Sequence, residues 1–136
     1  MNSKFKIEDL KPVVLDLLAN EKREIVFDIL NMYFKTANSI EDFDVLGYLA
    51  LKAEHRDLYL KCAEAAYTKA KNSQQLYIAR SNLYKAYNAM NMPDNALFYI
   101  NLNLMITPDD FETQTQKAFN IALKGDRESS ESILLG

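Results

Sequence analysis

The chain has a single cysteine, Cys62, so no intramolecular disulfide can form, in keeping with a reducing compartment. Tryptophan is absent, and His55 is the sole histidine. Glycine and proline number three each. All-β folds need many more turn residues, so this scarcity points to helices joined by short connections. Apolar runs such as Val13-Val14-Leu15 are far too short to cross a bilayer. The opening Met1-Asn2-Ser3-Lys4-Phe5-Lys6 soon turns acidic and leads into no signal-peptide core. A cytoplasmic protein is therefore expected. Neither charge sign dominates: 16 basic and 19 acidic residues give a net charge of -3. Such a balance exerts no general pull on nucleic acid or anionic lipid.

Hydrophobic residues make up 49% of the 136 residues, and charged residues 26%. Those proportions suit one globular domain spanning residues 1–136. Apolar residues recur at spacings of three and four almost throughout, which places each set on one helix face. A first set is Leu10, Val13, Val14, Leu17 and Leu18, with Pro12 tolerable only near its helix start. A second runs from Ile25 to Phe34. Ser39 is placed to cap a third helix carrying Phe43, Leu46, Leu49, Ala50 and Ala53. The polar group Glu54-His55-Arg56-Asp57 marks a turn before a fourth helix with Leu58, Tyr59, Cys62, Ala65 and Ala66. Asn72-Ser73 breaks the chain before a fifth, and Pro93 forces a turn before a sixth. A seventh helix is expected from Phe111 to a glycine cap at Gly125-Asp126, followed by a short eighth ending at Ile133-Leu134-Leu135.

Leu10, Phe43, Tyr77 and Phe111 are expected to open the first helices of four hairpins, at separations of 33, 34 and 34. The lead-ins Ile7-Glu8-Asp9-Leu10 and Ile40-Glu41-Asp42-Phe43 are nearly the same. A two-helix unit with this period resembles the tetratricopeptide repeat. Leu83, Tyr87, Ala96 and Pro108 carry the resemblance best, with Ala118, the Gly125-Asp126 turn and Ser130 in the fourth unit. Tyr84 and Asn103 depart from the small residues usual there. The resemblance implies an all-α, right-handed superhelical stack of about four antiparallel hairpins, with repeats at roughly 8–40, 41–74, 75–108 and 109–136. Small residues such as Ala50, Ala96 and Ala118 would then sit at close helix crossings, while Leu83, Tyr87, Phe98 and Phe119 fill the space between.

Groups able to do chemistry are sparse. His55 has no partners at ligand spacing and reads as a solvated turn histidine. Cys62 on its alanine-rich helix reads as a buried small residue. The pairs Glu41-Asp42 and Asp109-Asp110 lie at helix starts, where the helix dipole favours negative charge. No enzyme site, cofactor or metal is expected. The resemblance places Gly47, Leu51, Glu54, His55, Ile78, Ser81, Lys85, Asn88, Thr115 and Phe119 on an inner, partner-binding face. Lys85 and Asn82 would be lone remnants of the clamp that some such domains use for an acidic C-terminal tail. Ile133, Leu134 and Leu135 form a second candidate contact, an apolar edge that another copy or a further domain would cover.

The expected function is a non-catalytic scaffold or adaptor that holds a protein or peptide partner. A membrane partner is not expected. One alternative is an accessory helical domain of a larger enzyme such as a transferase. Another is a single-stranded RNA-binding repeat, against which the acidic balance argues.

Overall fold

The computed structural model describes residues 6–135, with side chains through residue 125. All regular structure among them is helical. A 3-10 turn, Ile7–Asp9, leads into α1 (Leu10–Ala19), α2 (Arg23–Phe34), α3 (Ile40–Lys52), α4 (Arg56–Lys69), α5 (Ser73–Ala89), α6 (Pro93–Ile106) and α7 (Phe111–Leu135). The chain divides into two compact units, Met1–Lys71 and Asn72–Gly136.

Two kinds of junction alternate. Helices α1–α2, α3–α4 and α5–α6 are each joined by three residues, the middle one left-handed: Glu21 (φ 59°), Glu54 (φ 61°) and Asn91 (φ 57°). In each turn that residue's amide donates back to a carbonyl three residues earlier, Leu18, Leu51 or Asn88. The next amide, of Lys22, His55 or Met92, reaches the carbonyl of Leu17, Ala50 or Tyr87 at 2.8–2.9 Å. These paired bonds satisfy the last carbonyls of one helix while reversing the chain. Helices α3, α5 and α7 instead start from side-chain caps. Ser39 Oγ accepts from the Asp42 amide (3.1 Å), Asn72 Oδ1 from Gln75 (2.8 Å) and Asp110 Oδ2 from Thr113 (2.9 Å). Each supplies an acceptor for an otherwise orphaned amide, worth about 1 kcal/mol.

The caps move the expected helix starts. Phe43 and Tyr77 do not open helices: α3 and α5 begin three and four residues earlier, behind Ser39 and Asn72. Phe111 opens α7 but is 81% exposed, unlike Leu10 and Phe43, which are buried. The expected glycine cap at Gly125 and separate eighth helix are not seen, because α7 runs unbroken through Gly125 for 25 residues.

In the first unit, Leu10 and Val14 of α1, Val26 and Leu30 of α2, and Phe43, Leu46, Leu49 and Ala50 of α3 are buried with Leu58, Cys62 and Ala66 of α4. Burial of each leucine there contributes about 1.5–3 kcal/mol. Gly47 lets α3 come close to α4: a Cβ built on it would lie 3.4 Å from Cys62 Cβ. The second unit buries Ala79, Leu83, Tyr84, Ala86, Ala96 and Ile100, but also Asn103, Thr113 and Asn120. Ala96 occupies its expected packed position. Ala118 and Phe119 do not: both are exposed, as is Phe98 at 60%. Phe98 faces outward because Ala96, Ile100 and Asn103 claim the inner side of α6.

Candidate interaction surfaces

The expected partner-binding residues fall into both units. In the first, Leu51 near the end of α3 is about half exposed. His55, the last residue of the α3–α4 turn and the N-cap of α4, is half-buried. Its ring stacks on Phe27 (centroids 4.2 Å apart, 14° between planes), and Nε2 lies 3.1 Å from Asn31 Oδ1. Burial holds the His55 pKa below its usual value; Asp57 opposes the shift and Lys61 adds to it. Gly47, assigned to the inner face, is buried at the α3–α4 crossing instead.

Other surface features of this unit were not anticipated. The exposed Tyr48 ring has Lys52 Nζ 5.5 Å and Lys11 Nζ 5.7 Å from its centroid. Each is a cation–π pair tying a flexible cation to the ring. Lys52 also borders an open cleft of ≈ 730 Å³ with Leu18, Glu21, Lys22, Arg23, Glu24 and Ile25. The cleft is mixed in charge, and Arg23 forms an exposed ion pair with Glu54 (3.7 Å). Cys62 is buried as expected, and burial, then Asp44, pushes its thiol up to about 12. Such a thiol is protonated at neutral pH and a poor nucleophile.

In the second unit the expected residues Ser81, Lys85 and Asn88 share one side of α5, but each is engaged within the chain. Ser81 Oγ donates to the Tyr77 carbonyl and accepts from Asn103 Nδ2, both at 3.1 Å. Lys85 Nζ lies 3.7 Å from Glu112 at the surface. Asn88 Nδ2 donates to Asn120 Oδ1 at 3.0 Å, and Asn120 Nδ2 donates back to Asn88 Oδ1. Phe119 and Ile78 remain about half exposed. Ile133, Leu134 and Leu135 lie outside the residues whose side chains are described.

Around Ser81 lies a buried polar network that sequence reasoning missed. The Tyr77 hydroxyl is 2.9 Å from Thr107 Oγ1 and 3.3 Å from Thr113 Oγ1. Asn103 Nδ2 also donates to the Tyr77 carbonyl at 3.1 Å. Burial raises the Tyr84 pKa, against the pull of its hydrogen bonds with Ser81 and Thr113. The Thr113 hydroxyl, then its amide, holds the Asp110 carboxyl below the usual range. The available signal was spacing: Thr113 and Asn120 lie seven residues apart on one face of α7. That network ties α5, the end of α6 and α7 together through directional bonds.

Among the described residues, no group of three His, Cys, Asp or Glu side chains could hold a metal ion. No described helix is long and apolar enough to cross a membrane. Several large apolar side chains of the second unit are nevertheless exposed among its polar ones. On α6, Phe98 and Met105 are 60% and 79% exposed, share one face with Asp94 and Asn101, and have the half-buried Leu102 beside them. Neither a family model, nor a curated protein, nor a solved structure matches this chain.

Proposed function

We propose that this chain is a non-catalytic protein-interaction module of tetratricopeptide-like helical hairpins. One observation carries the reading. The outward face of α6 presents Phe98, Leu102 and Met105 at i, i+4 and i+7, rimmed by Asp94 and Asn101. Apolar anchors within a polar rim are the usual composition of a contact for an amphipathic helix or extended peptide. Phenylalanine and methionine suit this work, the first as a rigid anchor and the second as an adaptable filler. The recurring turns at Glu21, Glu54 and Asn91 support the repeat reading.

The engagement of Ser81 and Asn88 within the chain moves the proposed contact away from the inner face of α5 and toward α6. The test is affinity capture from the native host, comparing the natural chain with the double variant Phe98→Ser/Met105→Ser. Loss of one partner at least tenfold, with an unchanged circular-dichroism melt, is the expected outcome. Equal capture by both proteins would remove this face as the contact.

A further inference from the structure

The three hairpin turns share a four-residue pattern. It consists of the left-handed residue, any residue, arginine or proline, then an acid: Glu21-Lys22-Arg23-Glu24, Glu54-His55-Arg56-Asp57 and Asn91-Met92-Pro93-Asp94. The same run of residue types, without the left-handed backbone, occurs before α7 as Ile106-Thr107-Pro108-Asp109 and inside α7 as Gly125-Asp126-Arg127-Glu128. The residues of the run inside α7 are better suited to a turn than those of the three hairpin turns. Glycine adopts the left-handed conformation without a Cβ penalty, and aspartate is a preferred N-cap. Gly125 also follows the capping Asp110 by fifteen residues, as Glu54 follows Ser39.

Packing repeats the correspondence. Seven residues before the turn stand Val14, Gly47, Tyr84 and Ala118; the first three are buried and Ala118 is exposed. Four residues before it stand Leu17, Ala50, Tyr87 and Ile121; Ala50 and Tyr87 are buried, Leu17 is half-buried and Ile121 is 53% exposed. The fourth helix face thus lies open where the other three are covered. Five residues after the turn stand Val26, Tyr59, Ala96 and Ser130, and nine after it Leu30, Ala63, Ile100 and Leu134. The first three of each set are buried. Ser130 and Leu134 are of a size and polarity that such positions accept. Glycine inside a helix costs about 1 kcal/mol relative to alanine, and a Cβ at Gly125 would meet nothing within 4 Å. Packing against the described side chains therefore gives no reason for the glycine.

From this we infer that Gly125 is a hinge between two states of α7. One is the unbroken helix. In the other, the chain reverses at Gly125-Asp126, and residues 127–135 of the same copy lie against Ala118 and Ile121 as the second helix of a fourth hairpin. The exposed face of α7 is the docking surface, and its occupant is the chain's own following segment. Closure exchanges a few helical hydrogen bonds for burial of that face. The two states thus present different surfaces to a partner.

The hinge is tested by pairing positions equivalent to Gly47 and Cys62, whose close approach marks the second hairpin. These are Ala118 and Ile133. In an unbroken helix their fifteen-residue separation spans about 22 Å, beyond the reach of a disulfide. In the closed hairpin they are neighbours. The full-length double variant Ala118→Cys/Ile133→Cys is oxidised at low concentration and read by non-reducing gel and peptide mass. Cys62 is buried and does not compete. An intrachain disulfide is expected, and Gly125→Ala should slow its formation about tenfold by penalising the turn and favouring the helix. A folded variant with no intrachain disulfide, with interchain disulfide alone, or with a rate unaffected by Gly125→Ala overturns the hinge. In the unsubstituted chain, the amides of residues 127–129 should exchange fast, as a helix's first amides do. Protection equal to that of residues 118–122 contradicts closure.

Discussion

The two units use the same hairpin turn but hold themselves together differently. Among the described residues of the first unit the buried side chains are apolar, leucines and valines of α1 to α4 foremost, and the Arg23–Glu54 ion pair is exposed. The described residues of the second unit bury fewer large aliphatic side chains, and the buried Asn103, Thr113 and Asn120 all lie there. Dispersion and burial are non-directional, so the first unit's stability follows the volume its side chains fill. Hydrogen bonds are directional, so the second unit depends on keeping donors and acceptors matched. Removing one member of a buried polar pair is costly, whereas replacing both members can be nearly neutral.

The largest effect should therefore come from the apolar unit. Leu46→Ala or Leu49→Ala, each at a fully buried site, should cost about 3–5 kcal/mol through lost transfer energy and cavity formation, read as a fall in the urea midpoint. A cost below about 1 kcal/mol would mean that the α3–α4 core collapses around the gap. Next is the amide pair. Asn120→Leu alone strands Asn88 and should cost about 1–3 kcal/mol, while Asn88→Leu/Asn120→Leu should cost less than the sum of the single changes. Additive costs would show that the two amides act independently.

Smaller effects concern the turns. Glu21 holds a left-handed conformation that suits glycine better, so Glu21→Gly should stabilise the chain by about 1 kcal/mol, measured as a raised melting temperature. Loss of stability would mean that the Glu21 side chain makes a contribution larger than its backbone strain. The smallest effect is that of pH. His55 is held below its ordinary 6.5 by burial, so the folded chain binds fewer protons than the unfolded one. Its contribution to stability is present above about 6.5 and declines as pH falls from there toward the folded value. His55→Gln should flatten the urea midpoint between pH 7 and 5 relative to the natural chain. Parallel profiles would show that another group carries the slope. Asp57 and Lys61 are the charges that act on His55, in opposite senses.

The division between the units also governed what could be read in advance. Helix periodicity, the Ser39 cap, the Pro93 turn and the burial of Cys62 follow from local sequence, because spacing and capping act over a few residues. The turn at Glu54 carried no glycine or proline, and its left-handed residue shows itself only through the backbone. Gly125 misled in the opposite sense: its residue type signals a cap, yet α7 runs through it. The partners of Asn103 and Asn120 were not legible because each lies more than twenty residues away along the chain. For the same reason Ser81 and Asn88 read as free binding groups although tertiary contacts engage them.

The most direct test of the proposed contact places a photo-crosslinking phenylalanine analogue at one position at a time and irradiates in the native host. Positions 98 and 105 sample the open face of α6, and positions 51 and 55 sample the end of α3 in the first unit. The proposed function predicts one shared protein adduct from 98 and 105 and none from 51 or 55. Adducts confined to 51 and 55, or none from any position, would contradict it.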